Sequence, residues 1–307
     1  MRFKEKFKEG IISAKDFNRD DIEYILKRAN EMIDDKKYRE LLKGKILATL
    51  FFEPSTRTRL SFESAMLRLG GEIIGFHSSD VSSIKKGETL ADTIRTVENY
   101  CDCIVIRHNL EGAALLASKF SKIPVINAGS GSGEHPTQAL LDLFTITKEG
   151  LTLDGLNIGI MGDLKYGRTV HSLAILLSNF DVNVYLISPK ELMLRNRDKD
   201  FLQQREVKYK EIEKYRDILN ILDVLYVTRI QKERFADVEE YDRVKGFYMF
   251  TKEDLKETKN LFKIMHPLPR VSEIAPEIDD SPKSIYFKQT YYGIPMRKAI
   301  LSELLTD

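Results

Sequence analysis

Two hydrophobic patterns alternate along this chain, and the alternation restricts the fold more than any other feature. Short apolar runs rich in β-branched residues, which are typical of buried strands, occur at 45–52, 72–76, 103–106, 124–127, 157–161, 182–188, 224–228 and 262–266. Segments with apolar residues on one helical face lie between them, at 20–37, 59–69, 89–100, 111–120, 169–179 and 252–259. Strands that alternate with helices favour parallel sheets. We therefore predict an α/β fold with two doubly wound parallel-sheet domains joined by interdomain helices.

The boundary between the two series is itself predicted to be helical. His135-Pro136 opens an apolar run, and proline suits the first turn of a helix. Turn-forming residues near Gly150 end that run, and a last helix is predicted at 294–305. We assign 1–134 with 292–307 to the first domain, 135–149 to a connecting helix and 150–291 to the second domain. Two domains of about 150 residues each also suit the length of 307 residues.

Composition excludes several classes of protein. The 48 Lys and Arg nearly balance the 47 Asp and Glu, whereas a general nucleic-acid binder usually carries a basic excess, so we expect no nucleic-acid partner. The longest apolar stretches are far shorter than the roughly 18 residues of a spanning helix, and the charged N-terminus does not resemble a signal peptide. Cys101 and Cys103 are the only cysteines, and we expect both as reduced thiols on one buried face of a strand. Together these features predict a cytoplasmic protein with no membrane contact.

Cationic residues follow several of the predicted strands, where ligands bind in open α/β sheets. Glu53-Pro54-Ser55-Thr56-Arg57 leads from a strand into a helix, so Ser55 or Thr56 can cap that helix, and its N-terminus with Arg57 would attract an anion. Arginine follows other strands as well, at Arg107, Arg168 and Arg229. Any one of them could be an ordinary surface arginine, and Ser55 or Thr56 an ordinary cap. Four arginines at four strand ends in both domains favour a site for anions.

Several common site motifs are missing from the sequence. There is no GxxxxGK[ST], no complete GxGxxG, no HExxH and no G-x-S-x-G. Histidines and cysteines also lack the spacing of metal ligands. We therefore expect no metal and no cofactor, and no nucleophile that forms a covalent intermediate.

The motifs at the strand ends resemble those of the carbamoyltransferases. Residues 52–59 (Phe-Glu-Pro-Ser-Thr-Arg-Thr-Arg) resemble the carbamoyl-phosphate motif of that family, and 135–142 (His-Pro-Thr-Gln-Ala-Leu-Leu-Asp) its second motif. Segments at 85–89, 162–169, 229–234 and 266–270 resemble the branch that uses aspartate. The ornithine branch would have Cys in place of Pro267 and a Ser-Met-Gly loop, and this sequence has neither. The resemblance runs in the same order from about residue 45 to 300.

This resemblance implies a reaction and a set of site residues. A carbamoyl group would move from carbamoyl phosphate to the α-amine of L-aspartate, with phosphate as the proton acceptor, through orientation and electrostatic stabilisation. The resemblance assigns catalytic roles to Thr58, Arg107 and His135. It assigns the carbamoyl-phosphate site to Ser55, Thr56, Arg57, Thr58, Arg107, His135, Gln138, Pro267, Leu268 and Pro269. It assigns the aspartate site to Lys86, Arg168, Arg229 and Gln231.

The resemblance also implies protein partners. In the family a loop like 80–87 reaches the site of a neighbouring subunit in a homotrimer, which would place Ser82 and Lys86 in the neighbour's site. From the residues alone this segment would be a surface loop. Some members of the family also bind a separate zinc-bearing regulatory chain, and the sequence leaves this open. Two alternatives remain: a carbamoyltransferase for another amine such as ornithine, and an inactive scaffold that binds anions.

Overall fold

The computed structural model describes residues 3–34, 36–78, 87–232, 235 and 237–306. The strands are β1 (Gly10–Ile11), β2 (Ile46–Phe51), β3 (Glu72–Phe76), β4 (Cys103–His108), β5 (Val125–Ser130), β6 (Asn157–Met161), β7 (Asn183–Ile187), β8 (Lys208–Ile212), β9 (Val224–Val227) and β10 (Lys263–Met265). The helices are α1 (Phe3–Lys6), α2 (Arg19–Glu31), α3 (Arg57–Arg68), α4 (Leu90–Val97), α5 (Ala113–Phe120), α6 (Pro136–Lys148), α7 (Arg168–Leu177), α8 (Asn196–Gln204), α9 (Val238–Val244) and α10 (Tyr286–Leu305). None of the helices in these ranges combines the length and the apolar character needed to cross a membrane.

The chain divides into two compact units. The first contains Met1–Phe144 and Tyr291–Asp307, and the second contains Thr145–Thr290. The first unit holds a parallel sheet in the order β1-β5-β4-β2-β3, and the second a parallel sheet in the order β10-β9-β6-β7-β8. The predicted fold class, an α/β chain with two parallel sheets, is confirmed.

Burial separates the inner strands from one edge strand of each sheet. β4, β5, β6 and β9 are nearly or fully buried, as expected for parallel strands covered on both faces. The edge strands β3 and β8 are largely exposed, and β8 (Lys-Tyr-Lys-Glu-Ile) carries the charges that discourage pairing with another chain. Sequence analysis missed β8 and the two-residue β1, because neither has a continuous apolar run.

Three local predictions were wrong. The helix predicted at 20–37 begins at Arg19 and ends at Glu31, and its capping box is formed by Asn18 and Asp21, which exchange bonds of 2.9 Å with each other's backbone N–H. The segment 252–259 forms only a short 3₁₀ helix, Asp254–Glu257, in which buried Asp254 accepts bonds from Tyr215 and Arg216.

The cysteine prediction was the third, and it was wrong for one of the two residues. β4 begins at Cys103, which is buried, whereas Cys101 precedes the strand, is half-buried and donates to the Val97 carbonyl. Both thiols are free. Burial raises the pKa of Cys101 to about 11, which keeps it protonated near neutral pH.

Candidate active site

In the first unit, the turn between β2 and α3 presents a helix N-terminus without a side-chain cap. Thr56 occupies the N-cap position, but its backbone is helical and its side chain makes no capping hydrogen bond. Thr89, by contrast, caps α4 by accepting a bond of 3.2 Å from the Asp92 N–H. The prediction that Ser55 or Thr56 can cap this helix is therefore wrong for Thr56, the residue at the N-cap position. The first turn of α3 also has no acidic residue, so the positive end of the helix dipole is not offset there.

The residues around this N-terminus differ in exposure. Ser55 is half-buried, Thr56 and Arg57 are exposed, and Thr58 is buried in the first turn of α3. The outer side chains are therefore accessible to a ligand, while Thr58 is fixed within the unit.

Thr58 and His135 lie together below that N-terminus. His135 is buried immediately before α6, and its Nε2 atom lies 3.4 Å from the Thr58 hydroxyl oxygen. Its Nδ1 atom lies 3.4 Å from the hydroxyl oxygen of Thr137. A hydroxyl and an imidazole are both hydrogen-bond donors of the kind that stabilise an oxygen on which negative charge develops.

Gln138, one turn into α6, has its amide orientation set by a buried carboxylate. Its Nε2 atom donates a bond of 2.8 Å to Asp142, which is fully buried four residues later on the same helix. Because the NH2 group is used in this way, the amide oxygen of Gln138 remains as an acceptor. Two residues spaced by four positions share one helical face, which explains the contact.

A buried arginine lies behind this pair. Burial lowers the pKa of Arg297 to about 10, and the charge of Asp142 acts in the opposite direction. The guanidinium carbon lies 4.9 Å from the ring centroid of Phe62 on α3. A Cβ atom at Gly293 would lie 2.4 Å from Nη1 of Arg297, so a side chain there would require the guanidinium to move. Asp142 is thus the charge partner of Arg297 as well as the acceptor for Gln138.

Arg107 lies at the end of β4, in register with Phe51 at the end of β2. Its Nε atom donates a bond of 2.8 Å to Glu53, and both side chains are about 17% exposed. Glu53 therefore orients the guanidinium of Arg107.

In the second unit, a buried aspartate joins two loops that follow neighbouring strands. Asp163, after β6, is fully buried and accepts bonds from the backbone N–H groups of Tyr166 at 2.8 Å and Gln231 at 3.5 Å. The Gln231 side chain donates to the Tyr166 carbonyl at 3.4 Å. Burial raises the pKa of Asp163 to about 6, and the backbone hydrogen bonds only partly offset that rise.

The two arginines predicted for the second unit have different surroundings. Arg168 is buried at the start of α7, behind the N-cap residue Gly167, which supplies no side-chain cap. Arg229 is half-buried after β9 and lines a cavity of about 430 Å³. That cavity is also lined by Lys232, Lys245 and Glu273. Its cationic lining suits a small molecule that carries carboxylates.

The segment after β10 has an unusual backbone. Leu268 has a φ of +53°, the left-handed region that non-glycine residues seldom occupy, and the Leu268–Pro269 bond is cis. Pro267 and Leu268 are half-buried, and Pro269 is exposed. Arg270 pairs with Asp279 and donates to the Tyr286 hydroxyl at 3.1 Å, so it has a structural partner of its own.

The remaining two predicted residues, Ser82 and Lys86, lie outside the described residues. Within the ranges that the structure describes, no group of three or more His, Cys, Asp or Glu side chains is placed to hold a metal ion.

Comparison with known proteins covers both units. Residues 10–148 match the family model described as the aspartate/ornithine carbamoyltransferase carbamoyl-P binding domain, and residues 154–304 match the Asp/Orn binding domain of the same family. The chain belongs to the aspartate/ornithine carbamoyltransferase family. The resemblance inferred from the motifs is thereby confirmed.

Relatives within the carbamoyltransferase family are similar over nearly the whole chain. The aspartate carbamoyltransferase catalytic subunit of Thermococcus kodakarensis is 57% identical over 294 residues, which are 95% of each chain. That of Archaeoglobus fulgidus is 55% identical over 301 residues, 96% of this chain and 98% of the relative.

Solved structures of carbamoyltransferases agree with this fold. The catalytic subunit of M. jannaschii aspartate transcarbamoylase has a TM-score of 0.88 at 53% identity, covering 96% of this chain and 97% of that one. Aspartate transcarbamoylase from Trypanosoma cruzi in complex with carbamoyl phosphate and aspartate has a TM-score of 0.93 at 39% identity, covering 100% and 99%.

The sequence indicated no role for four acidic residues that bind predicted site residues or their neighbours. Glu53, Asp142 and Asp163 bind the predicted residues Arg107, Gln138 and Gln231, and Glu273 binds His266, which precedes Pro267. The contact of Asp142 could have been predicted, because Asp142 follows Gln138 by four residues and therefore lies on the same face of the helix. The other three carboxylates bind side chains that are distant in the sequence or N–H groups in the backbone of a loop. The spacing of residues along the sequence does not indicate such contacts.

Proposed function

We propose that this chain transfers the carbamoyl group of carbamoyl phosphate to the α-amino group of L-aspartate, giving N-carbamoyl-L-aspartate and phosphate. The observation that carries the proposal is the arrangement in the first unit, where buried Thr58, His135 and Gln138 lie near a helix N-terminus without a side-chain cap. The relatives named aspartate carbamoyltransferase support it, as does the structural likeness to a chain solved with both substrates. The reaction belongs to pyrimidine biosynthesis.

The first unit supplies groups that suit carbamoyl phosphate. Backbone N–H groups at the start of α3, with Ser55, Thr56 and Arg57, would bind the phosphate, because a helix N-terminus and a guanidinium both favour an anion. Thr58, Arg107 and His135 would donate to the carbonyl oxygen as it gains negative charge. The amide oxygen of Gln138 would accept from the carbamoyl NH2 group.

The second unit supplies groups that suit aspartate. Arg168 and Arg229 would pair with its two carboxylates through forked hydrogen bonds, with Gln231 and Lys86 beside them. The Pro267 and Leu268 carbonyls would accept from the carbamoyl NH2 group, with Pro269 completing that turn. The departing phosphate would take the amine proton, so catalysis would need no dedicated protein base.

A paired product assay tests the acceptor. Carbamoyl phosphate is supplied with L-aspartate in one reaction and with L-ornithine in another, and N-carbamoyl-L-aspartate with equimolar phosphate is expected only in the first. Product from ornithine alone would overturn the acceptor assignment, and no product in either reaction would favour the inactive scaffold.

Two arginine variants sharpen that assay. Arg229→Gln is expected to raise the KM for aspartate at least about tenfold, because a forked carboxylate pair is lost, and to leave the KM for carbamoyl phosphate unchanged. The control is Arg216→Gln in the same unit, where the arginine is mostly exposed and pairs with Asp254. Equal effects of both variants on aspartate would count against the role of Arg229.

We further propose a homotrimer in which Ser82 and Lys86 complete the site of a neighbouring subunit. Leu60 and Leu67, seven residues apart on one face of α3, are 50% and 57% exposed, and Ile74 on edge strand β3 is 39% exposed. Exposed apolar groups of this kind mark association surfaces, and β3 leads toward residues 79–86. Mixing Arg57→Ala subunits with Lys86→Ala subunits should restore part of the activity, whereas no restoration would contradict shared sites.

The proposal also includes one further protein partner and a cellular location. The name catalytic subunit, which the relatives carry, implies an additional subunit, and the zinc-bearing regulatory chain of the family is the candidate. A cytoplasmic location is supported by the two free thiols of Cys101 and Cys103, since reducing compartments keep cysteines unpaired.

A further inference from the structure

His266, immediately after β10, is a buried histidine to which sequence analysis assigned no role. It is about 1% exposed, and its backbone N–H donates to the buried side chain of Gln289 at 2.9 Å. Its ring makes two hydrogen bonds in opposite directions, so the residue is held on both sides.

The two ring bonds determine where the proton lies. The Nδ1 atom is 2.8 Å from the backbone N–H of Leu268, a group that can only donate, so Nδ1 must accept. The ring proton then lies on Nε2, which donates to Glu273 at 2.7 Å. A doubly protonated ring has no acceptor for the Leu268 N–H, so the geometry requires the neutral Nε2–H form.

Glu273 is suited to orient that ring because it is an acceptor only. Its two carboxylate oxygens also accept from the backbone N–H groups of Val271 and Ser272, at 3.0 to 3.2 Å. Burial alone would raise the pKa of Glu273, whereas the hydrogen bond from His266 and the backbone hydrogen bonds lower it. A glutamine would place an NH2 group against one set of these donors.

The group that His266 holds has a backbone conformation that leucine does not favour. Leu268 has a φ of +53°, so local preference does not maintain the turn, and a hydrogen bond to its N–H helps to do so. The N–H of Leu268 belongs to the peptide whose carbonyl is that of Pro267. Holding that N–H therefore fixes the direction in which the Pro267 carbonyl points, and it restricts Leu268 as well.

We propose that His266 is a positioning residue: its imidazole, oriented by Glu273, holds the Leu268 N–H and thereby aims the Pro267 and Leu268 carbonyls at the NH2 group of the carbamoyl donor. This rests on the proposed function. The inference adds a specificity role, because these carbonyls distinguish a carbamoyl group from an acyl group of the same shape that lacks N–H donors.

Acetyl phosphate is the probe, since it replaces the NH2 group of carbamoyl phosphate with a methyl group. The quantity measured is the ratio between the competitive inhibition constant of acetyl phosphate and the KM of carbamoyl phosphate. His266→Ala is expected to lower this ratio roughly tenfold, because the two carbonyls lose their fixed direction while the phosphate contacts remain.

His266→Asn is the rescuing variant. An asparagine side-chain oxygen accepts from the N–H two residues later, as the Nδ1 atom of His266 does, so the ratio should return to within about threefold of the wild type. The control is His171→Asn, which removes another buried histidine of the same unit, bonded to the Leu164 carbonyl at 2.9 Å. That variant should leave the ratio unchanged.

The outcomes separate this inference from the proposed function. A wild-type chain that makes no N-carbamoyl-L-aspartate would defeat the proposed function. An active wild type in which His266→Ala changes both constants by the same factor would defeat the inference alone. If His266→Ala does not fold, the ring nitrogens of the wild type decide by NMR: a proton on Nε2 alone is expected at neutral pH, and a proton on Nδ1 overturns the proposal.

Discussion

The two units hold their functional groups in different ways. In the first unit, side chains hold side chains: Gln138 donates to Asp142, and Arg107 donates to Glu53. In the second unit, buried carboxylates hold the backbone of loops: Asp163 accepts from the Tyr166 and Gln231 N–H groups. Removing a carboxylate should therefore disturb the individual side chains that it binds in the first unit and a whole loop in the second.

The difference follows from the elements that carry the groups. Thr58 and Gln138 lie in the first turns of α3 and α6, whose backbones are already fixed by helical hydrogen bonds, so only the side chains need orienting. Arg229 and Leu268 lie in loops after short strands, where the backbone has no such ladder. A carboxylate with several lone pairs can bind two or three N–H groups at once and so fix a loop.

The largest expected effect is that of Asp142→Ala in the first unit. It leaves the buried Arg297 without its charge partner, and we expect a loss of about 3–5 kcal/mol in the free energy of unfolding. It also frees the Gln138 amide, which should raise the KM for carbamoyl phosphate but leave that for aspartate unchanged. Urea unfolding and steady-state kinetics measure both.

Asp142→Asn is the matched variant for that experiment. It keeps an acceptor for the Gln138 NH2 group but loses the charge beside Arg297, so stability should fall while the KM for carbamoyl phosphate stays near the wild type. A parallel change in both quantities would show that Gln138 is not held in the way proposed.

The second effect concerns Asp163 and the dependence of stability on pH. Burial raises the pKa of Asp163 from 3.8 to about 6, so the folded state binds more protons than the unfolded state between these values. The contribution of this group to the free energy of unfolding should therefore fall as the pH rises from about 4 to 6, by about 3 kcal/mol in total. Asp163→Asn, which cannot ionise, should gain stability relative to the wild type between about pH 4 and pH 7. A constant difference across that range would contradict the raised pKa.

Whether a part of the fold or of the site could be predicted from the sequence depends on the type of contact that forms it. The inner strands were predictable because parallel strands buried on both faces are continuous apolar runs, as in Ile46–Phe51. β8 was not, because the charged residues of an edge strand break that run. The arginines could be placed at strand ends for the same reason that the strands could be found.

The carboxylates that hold the site were not predictable in the same way. Glu53 and Arg107 are 54 residues apart, and Asp163 and Gln231 are 68 apart, so their contacts depend on which strands become neighbours in the sheet. The N-cap at Thr56 illustrates the opposite error: the residue type favours a cap, but the turn after β2 places its backbone in a helical conformation. Both cases show tertiary structure overriding a local preference.

A smaller effect is expected from substitutions of Glu53. They test whether removing this carboxylate disturbs only the side chain of Arg107. Glu53→Ala should raise the KM for carbamoyl phosphate about fivefold, because Arg107 loses the acceptor that orients it. Glu53→Gln retains an acceptor for the Nε atom and should stay within about twofold. Steady-state kinetics at fixed aspartate measure the KM for carbamoyl phosphate. A large change in the KM for aspartate with either variant would contradict the view that first-unit carboxylates affect only the side chains that they bind.

The smallest change in stability is expected where a site group contributes nothing to the fold. Thr56→Ala should alter the free energy of unfolding by less than about 0.5 kcal/mol, since the Thr56 side chain makes no capping bond, whereas Thr89→Ala should cost about 1 kcal/mol. Inorganic phosphate should bind more weakly to Thr56→Ala and equally well to Thr89→Ala. If Thr56→Ala were as destabilising as Thr89→Ala, the start of α3 would be a structural cap, and its hydroxyl would not be available to a substrate.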